Sequence, residues 1–395
     1  MGDESRSTPA LEPLAYHRLI VDHLREHEPE IWAWGRSHQA REEQVQEMRA
    51  YLLRETYRLD AVAHPEVHED CAGVLAKFGI EAPVTLYQAS DGSLNAALCF
   101  VPGEIHLLFH GPVLEKLSRD ERIALLGHEL AHHRLWSIED GAFYAAATIL
   151  DHALAYPGAA SSHVETARLY RLYTELYADR GAAVAADAAR PAIATLVKTM
   201  TGLMSIDPEA YLRQAAEAEI DAAASQGETH PEIFLRAQAV DRWWRGEADA
   251  ETWVDKRLRG RLSLAALDLT RQHEATALTR TFLTRLAADP AADAEAAGNL
   301  IRRYFPDWRA GEEPIEDAAL APECLDASLR DYLVSLSLDL AMADPDGRDA
   351  MLTVGARLAA VYDGVEPFKA ALKRDLKFTK AAIDRTFAPL KKARV

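Results

Sequence analysis

Two histidines and a glutamate are spaced in this chain so that they could bind a metal ion and activate a water molecule. Residues 128–132 read His-Glu-Leu-Ala-His, and side chains four residues apart lie on one face of a helix. His128 and His132 can therefore converge on one ion, while Glu129 reaches the water beside it. Zinc suits imidazole nitrogens with a carboxylate as third ligand and a fourth position open for water. The segment predicts one Zn2+ per chain, with Glu129 as the general base of peptide hydrolysis.

The same five residues could also arise by chance on an amphipathic helix with two histidines at its surface. Here residues 123–127, Ile-Ala-Leu-Leu-Gly, precede the motif, and Leu130 and Ala131 lie inside it. In such an apolar setting an unpaired pair of buried histidines would be costly. The context therefore favours a metal site over a chance match.

The third metal ligand must come from outside the motif. Metzincins would have glycine at position 135 and histidine at 138, and the chain has Leu135 and Ile138, so this class of metallopeptidase is excluded. Glu139 follows too closely along the chain to fold back. Four further candidates stand in no recognisable pattern and stay open on the sequence alone: Asp151, His152, His163 and Glu165.

Glu175 is a better candidate, because Asp179 follows it by one helical turn. Residues 175–179 read Glu-Leu-Tyr-Ala-Asp, which would put both carboxylates on one helix face. Glu175 could then bind zinc while Asp179 accepts a hydrogen bond from a ligand histidine and fixes its tautomer. A solvated acidic face is the alternative for this stretch taken alone. Its place downstream of the histidine motif favours the ligand.

A histidine between Thr229 and Pro231 is a further candidate for chemistry. Held by the following proline, His230 could donate a hydrogen bond to the oxyanion of a tetrahedral intermediate. An ordinary loop histidine before a helix is the alternative, and it would be the better interpretation of these three residues in isolation.

The order of these motifs resembles the gluzincin family of the CaaX prenyl proteases and the HtpX and Oma heat-shock proteases. The two motifs on predicted helices are followed by Thr-His-Pro at 229–231 and then by Arg236. Upstream, Leu94-Asn95-Ala96 and residues 104–111 stand where the family has two strands before the zinc helix. The resemblance covers roughly residues 60–240.

The resemblance implies a role for each residue that matches a motif. The roles fall into four groups: Zn2+ ligands (His128, His132, Glu175), general base and transition-state donor (Glu129, His230), supporting charges (Asp179, Arg236), and the strand along which a peptide lies extended (Asn95, Ala96, Ala97). The best-known members are embedded in membranes, whereas this chain has no run near the roughly 18 apolar residues that span a bilayer. It therefore looks like a soluble branch of the family. The resemblance does not imply that this chain acts on prenylated or membrane-bound substrates.

The apolar pattern predicts a mainly α protein with a small β-sheet, an α+β fold. The motif at residues 128–132 and the resemblance imply that it contains a zincin-type catalytic domain. Strands are expected at 83–87, 94–101 and 104–109, with Pro102-Gly103 as the turn between the last two. Ser118 and Glu121 predict a capping box at the start of the zinc helix. Three parts are expected: an N-terminal helical segment (1–60), the zinc metallopeptidase domain (61–245) and a helical C-terminal domain (246–395).

Composition excludes some functions and indicates a compartment. A net charge of −18 argues against a nucleic-acid partner. Three widely spaced cysteines give no disulfide framework, and the polar start lacks the apolar core of a signal peptide. We therefore expect a cytoplasmic protein, without insertion into a membrane, that acts on a peptide or protein substrate.

Two hypotheses of different classes remain on the sequence. The first is an active zinc endopeptidase. The second is a catalytically latent or silent metallopeptidase-like protein that binds a protein partner through its helical C-terminal domain. Glu129 argues against a purely structural site, because a structural zinc site needs no base at that position.

Overall fold

The computed structural model describes residues 8–37, 42–90, 92, 94–219, 224, 225, 227 and 229–392. Of the residues that the structure describes, 66% are helical, and a small mixed sheet accompanies them; this confirms the predicted fold class. The chain divides into two compact units, Met1–Gly260 and Arg261–Val395. The predicted division into three parts, with boundaries after residues 60 and 245, stays a prediction.

A four-stranded sheet lies in the first unit. Its strands are β1 (Tyr57–Arg58), β2 (Val84–Gln88), β3 (Asn95–Val101) and β4 (Glu104–His110). Their order is β1-β2-β4-β3, so β3 forms one edge. β3 and β4 are an antiparallel hairpin, β2 and β4 are parallel, and β1 is antiparallel to β2. The three predicted strands are therefore present, and β1 is an addition that the sequence pattern did not indicate.

Helices make up most of the rest of the first unit. In chain order they are α1 (Ala15–His27), α2 (Pro29–Ser37), α3 (Glu42–Glu55), α4 (Pro65–Phe78), α5 (Val113–Lys116), α6 (Arg119–Ser137), α7 (Ala142–Ala155), α8 (Ser161–Ala185), α9 (Ala189–Thr201), α10 (Pro208–Glu219), α11 (Ile233–Trp244) and α12 (Ala250–Arg259).

The second unit is helical and has its own apolar core. Its helices are α13 (Leu269–Ala287), α14 (Ala294–Tyr304), α15 (Ala327–Ala343), α16 (Arg348–Ala359), α17 (Val365–Arg374) and α18 (Lys380–Lys392). Phe282, Tyr362 and Phe368 are fully buried at the centre of this core. In the part of the chain that the structure describes, every helix is too short or too polar to span a bilayer.

Helix α6 starts where the sequence predicts and is fixed at that end. The Ser118 hydroxyl accepts a hydrogen bond from the Glu121 backbone N–H, and the Glu121 carboxylate accepts one from the Ser118 N–H. This capping box satisfies two backbone donors that the helix itself cannot pair. Glu121 also forms a buried ion pair with Lys198 of α9 at 2.7 Å. The start of α6 is therefore held by both its own cap and a neighbouring helix.

One side of α6 packs on the sheet. Leu126 and Leu130 join Leu86, Ile105 and Phe109 in a core between α6 and the strands. Because residues four apart share a helix face, Leu126 and Leu130 occupy one side of α6. The side chains of His128 and His132 are left for another side. The burial pattern of α6 thus sets the direction in which its histidines point.

Candidate metal centre

The side chains of His128, His132 and Glu175 come together between α6 and α8. One ligand atom from each of the three lies within 4.8 Å of the others. The Glu175 carboxylate is 3.6 Å from His128 Nε2 and 3.7 Å from His132 Nε2. Ligand atoms arranged tetrahedrally at about 2.1 Å from a zinc ion are roughly 3.4 Å apart. The three side chains therefore have the spacing of a small tetrahedral site.

A pair of glycines lets α6 and α8 approach closely enough for this. A Cβ added at Gly127 would lie 2.8 Å from the Gly181 carbonyl oxygen, and one at Gly181 would lie 2.9 Å from the Gly127 carbonyl oxygen. Both contacts involve backbone, which cannot move aside as a flexible side chain does. Gly127 immediately precedes His128, and Gly181 follows Glu175 by less than two turns. The close crossing of the two helices therefore sets the distance between the ligand side chains.

The other acidic and histidine candidates for the third ligand have partners elsewhere. Glu139 forms an ion pair with Arg18 at 2.6 Å, and Glu165 one with Arg168 at 2.6 Å. Asp151 forms an ion pair with Arg171, and the His163 ring contacts the Glu28 carboxylate. The His152 ring is hydrogen-bonded to the Thr148 carbonyl. Of the alternatives left open by the sequence, Glu175 is the one that faces both histidines.

A buried carboxylate oxygen at this centre fits a cation. Glu175 Oε2 is inaccessible to solvent and accepts no hydrogen bond from the described residues, although the Arg236 guanidinium lies 3.1 Å away. This oxygen has the charge of Arg236 nearby but no hydrogen-bond donor, so a metal ion could complete its contacts. The Nε2 atoms of both histidines face this carboxylate. Two imidazoles and one carboxylate are the donor set that zinc takes in catalytic sites.

Asp179 and Arg236 orient His128 through the ring nitrogen that does not face Glu175. The Asp179 carboxylate lies 3.2 Å from His128 Nδ1. Arg236 of α11 donates two hydrogen bonds to Asp179, from Nε at 2.8 Å and from Nη2 at 2.7 Å. Asp179 and Arg236 are both buried, so this bidentate pair is shielded from solvent. With Nδ1 turned towards Asp179, Nε2 of His128 is left free for a metal.

His132 is held by stacking instead. Its ring lies 5.4 Å from the Trp136 ring at an interplanar angle of 30°. Its Nδ1 is buried with no hydrogen-bond partner among the described residues. Trp136 is one helical turn after His132, so both rings share a face of α6. The two candidate ligand histidines are therefore oriented by different means, one by a carboxylate and the other by an aromatic ring.

Burial and charge shift the protonation of these side chains in ways that favour metal binding. Burial lowers the pKa of His132 to about 4, which keeps the imidazole neutral at pH 7. Burial alone would raise the pKa of Glu175, but the charges of Arg236 and the histidines outweigh it and lower that pKa. The same competition, with Arg236 as the main counter-charge, holds the pKa of Asp179 far below its usual range. Both carboxylates are thus anionic at neutral pH.

His128 carries a proton more readily than an ordinary histidine. Burial alone would lower its pKa, but the hydrogen bond to Asp179 and the charge of Glu175 outweigh burial and raise it. A metal ion would have to compete with that proton, because metal ligands bind in their deprotonated form.

Glu129 lies beside the candidate ligands and is buried. Burial raises the pKa of Glu129 to about 7, the charge of His128 opposes this rise, and the negative charge of Glu175 adds to it. The backbone of Leu98 in β3 is within hydrogen-bonding reach and favours the charged form. A carboxyl group that titrates near neutral pH can both take up and release a proton at that pH.

A cleft of about 450 Å³ contains the candidate ligands and the other predicted site residues. Asn95, Ala96 and Ala97 of the edge strand β3 form one side of it. His230 also lines the cleft, with 59% of its side chain exposed and its Nε2 3.6 Å from Glu175 Oε2. Its Nδ1 is 2.9 Å from the Thr229 hydroxyl. His230 is therefore next to the candidate metal centre and open to solvent.

Residues 62–244 match the family model described as peptidase family M48. The match supports a metallopeptidase of that family in this segment, which contains every site residue described above. It agrees with the predicted peptidase class. The narrower kinship with the CaaX prenyl proteases and with HtpX and Oma stays a prediction. Comparisons with curated proteins and with solved structures give no significant match.

Three residues of the M48-like segment shape the site without having been singled out in the sequence. Gly127 and Gly181 determine the helix crossing, and Trp136 stacks on His132. Spacing could have indicated Trp136, because it follows His132 by four residues in a helix. The glycine pair left no comparable signal, because the contact joins two segments that are distant in sequence.

Proposed function

We propose that this protein is a zinc-dependent endopeptidase whose metal is bound by His128, His132 and Glu175. The observation that carries the proposal is the convergence of two imidazole nitrogens and a buried carboxylate within 4.8 Å. The match of residues 62–244 to peptidase family M48 supports the same reaction class independently of the geometry.

Zinc bound there would supply a Lewis acid that lowers the pKa of water and polarises a peptide carbonyl. Glu129 would accept the proton of the attacking water and transfer it to the leaving amine. Its pKa of about 7 supports this role, because a group that exchanges protons twice per cycle works best when its pKa is near the operating pH.

His230 is proposed to donate a hydrogen bond to the oxyanion as the carbonyl becomes tetrahedral. Its exposure and its place 3.6 Å from Glu175 support this role, because a donor must reach a group on the substrate as well as the metal centre. Arg236 is proposed to act through Asp179 rather than on the substrate, since it is buried and bound bidentately to that carboxylate.

The substrate is proposed to be an extended peptide that lies along β3. β3 is an edge strand, and Asn95, Ala96 and Ala97 line the cleft beside Glu129. An edge strand presents unpaired backbone N–H and C=O groups, which an extended peptide can pair with as an added strand. This mode of binding is largely independent of side chains, so it suits a peptidase that takes internal segments of different sequence.

A cytoplasmic location is part of the proposal. The three cysteines are free thiols in the structure, and Cys71 is buried. Unpaired cysteines suit a reducing compartment, where disulfides are not maintained.

Glu129→Gln tests the mechanism directly. Glutamine has nearly the shape of glutamate but cannot accept the proton, so the variant should keep its zinc and lose cleavage of an unstructured protein such as casein. We expect a fall in kcat/KM of at least about 100-fold, the usual scale for loss of a general base. Zinc content and cleavage rate should be measured on the same preparation.

An unchanged cleavage rate in Glu129→Gln would contradict the mechanism. A wild-type protein that binds zinc but cleaves nothing would instead favour the latent or silent protein, which binds a partner through its C-terminal helices.

A further inference from the structure

Three large apolar side chains are exposed within five residues at the point where α9 ends. Met200 is 53% exposed, Leu203 54% and Met204 61%. We call these three residues the α9 lip. Single exposed apolar side chains are ordinary on a protein surface, whereas a group of them marks a surface that binds another molecule or segment.

The backbone of the lip is fixed by the way in which α9 ends. Gly202 has a φ of +70°, the left-handed conformation that commonly terminates a helix, and its N–H donates to the Lys198 carbonyl at 2.7 Å. The Leu203 N–H donates to the Thr201 hydroxyl at 3.3 Å. The chain therefore turns after Thr201 through hydrogen bonds of its own, and Leu203 and Met204 are exposed beyond that turn.

The lip and its neighbours in the sequence are uncharged. Residues 199–206 read Thr-Met-Thr-Gly-Leu-Met-Ser-Ile, in a chain of which 27% of the residues are charged. Lys198, just before this stretch, is buried and forms an ion pair with Glu121 at 2.7 Å. The two methionines are unbranched and flexible, so they can adapt to apolar partners of different shape. The lip is therefore suited to apolar segments of varied sequence.

The lip continues one wall of the cleft that contains the candidate metal centre. Four residues of α9 line that cleft, and their spacing puts them on one face of the helix: Ala192, Thr195, Leu196 and Thr199. Ala192, Thr195 and Leu196 are buried, whereas Thr199 is half-buried. This wall therefore rises from the floor of the cleft to the surface, and the lip lies where the wall ends.

The length of α9 determines which substrates can reach the lip. A helix rises about 1.5 Å per residue, so Met200 lies about 12 Å along α9 from Ala192. An extended peptide covers about 3.3 Å per residue, so about four residues span this length. A polypeptide that occupies the cleft and continues beyond it can therefore contact the lip, whereas a short peptide cannot.

We propose that the α9 lip binds an apolar segment of a long polypeptide substrate, outside the cleft and about four or more residues from the bond that is cut. This inference rests on the proposed endopeptidase function and adds a second contact for the same substrate. The continuity of the lip with the cleft wall indicates this occupant, because a chain held in the cleft is already beside the lip. Its apolar segment then binds at a high effective concentration, and the buried apolar area supplies the binding energy.

The test uses the full-length protein and casein, with a cleavage site mapped by mass spectrometry. Three peptides are made around that bond: a short one of about eight residues, a long one of about 20 residues with leucine and phenylalanine in its outer segments, and a long one with serine and glycine there. For the wild type, kcat/KM should be at least about tenfold higher for the long apolar peptide than for the other two. The difference should lie in KM, because the lip adds binding that does not change during the reaction.

Met200→Gln, Leu203→Gln and Met204→Gln are combined in one lip variant. Its kcat/KM for the long apolar peptide should fall by about tenfold, to the value for the short peptide, which it should cleave as the wild type does. Leu53→Gln with Val62→Gln is the matched control. Leu53 and Val62 are 58% and 90% exposed and flank β1, the strand at the opposite edge of the sheet from β3. This control should keep the wild-type preference for the long apolar peptide.

Met204→Gln alone should give a smaller change of the same sign, and it keeps the test valid if the combined variant loses zinc or stability. Zinc content and melting temperature are measured for each variant.

Three results would overturn the inference in different ways. A lip variant that binds zinc and keeps the wild-type preference for the long apolar peptide would disprove the second contact while leaving the peptidase intact. A wild type that sediments as a dimer, and a lip variant that sediments as a monomer with unchanged peptide rates, would assign the lip to a second copy of the chain. A wild-type protein that cleaves neither casein nor the peptides would disprove the proposed function, and the inference with it.

Discussion

Glu175 is the residue on which the candidate metal centre depends most, because its carboxylate faces both histidines. Arg236 lies 3.1 Å from Glu175 Oε2 and also neutralises Asp179. One guanidinium therefore stabilises two buried carboxylates, which would otherwise repel each other. A zinc ion held by Glu175 and the two histidines would add a second positive charge beside this carboxylate. The centre is thus built around a carboxylate whose charge has two partners.

Glu175→Ala should abolish zinc binding. Loss of a ligand should weaken zinc more than the roughly 10–100-fold that loss of a supporting hydrogen bond costs. Glu165→Ala is the matched control, because Glu165 lies on the same helix but pairs with Arg168. Zinc content after dialysis should be near zero in the first variant and unchanged in the second. The reverse outcome would mean that another residue supplies the third ligand.

Among single residues, the sequence predicts the candidate metal ligands better than the residues that hold those ligands in place. The convergence of His128 and His132 could be predicted from their spacing, because residues four apart lie on the same face of a helix. Glu175 could be proposed from its partner Asp179, yet several acids stayed open until their ion pairs were seen. The bidentate contact of Arg236 with Asp179 joins residues that are 57 positions apart, and no local pattern specifies such a pair.

Among the secondary-structure elements, the crossing of α6 and α8 matters most for the site, because these two helices contain the candidate ligands. A Cβ added at Gly127 or Gly181 would collide with the opposite helix, with the methyl group of Ala185 or Ala131 and with the partner glycine's carbonyl oxygen, so α6 and α8 have no room for a larger residue at this point. A small increase in the separation would move Glu175 away from both histidines together. The helix crossing therefore contributes to metal affinity as well as to packing.

Gly181→Ala should weaken both the fold and the metal site. The added methyl group would meet the Gly127 carbonyl oxygen at 2.9 Å, and overpacking of this kind costs about 1–3 kcal/mol. Gly73→Ala on α4 is the control, because nothing lies within 4 Å of the added group. Alanine there should stabilise the protein by about 0.5–1 kcal/mol. Chemical denaturation and zinc titration would measure both effects, and equal behaviour of the two variants would contradict the role of the crossing.

The predicted elements agree with the structure where local signals are strong. The capping box at Ser118 fixes the start of α6, and the Pro102-Gly103 turn joins β3 to β4. The two-residue strand β1 was not predicted, because so short a segment has no alternation to detect. The parallel pairing of β2 with β4 was also not predicted, since it depends on how distant segments meet and not on either segment alone.

At the scale of the whole molecule, the site belongs entirely to the first of two units with separate cores. Within that unit α1 packs behind α8, where the fully buried His17 ring contacts the Thr174 hydroxyl at 3.2 Å. The rings of Tyr170 and Phe143 surround it edge-on. The stability of this unit therefore depends on a buried histidine whose partner, Thr174, directly precedes Glu175.

His17 should make that stability depend on pH. Burial, with added repulsion from Arg180 and Arg18, lowers the pKa of His17 to about 3. An unfolded histidine titrates near 6.5, so the unfolded chain takes up a proton first as pH falls. The free energy of unfolding should therefore decrease below about pH 6.5, by up to about 1.4 kcal/mol per pH unit from this group.

His17→Phe removes the titrating group and keeps an aromatic ring. Denaturant unfolding of the first unit between pH 7 and pH 5 should show a shallower loss of stability in the variant than in the wild type. The other histidines are common to both proteins, so the difference between the two slopes isolates His17. Identical slopes would show that the His17 ring is accessible to protons in the folded chain.

The zinc K-edge X-ray absorption spectrum of the purified wild-type protein tests the central claim most directly. The proposed centre predicts close to one zinc per chain, with nitrogen and oxygen neighbours at about 2.0–2.1 Å and the outer scattering of two imidazole rings. Sulfur neighbours at about 2.3 Å, a single imidazole, or protein that takes up no zinc would contradict a centre formed by His128, His132 and Glu175.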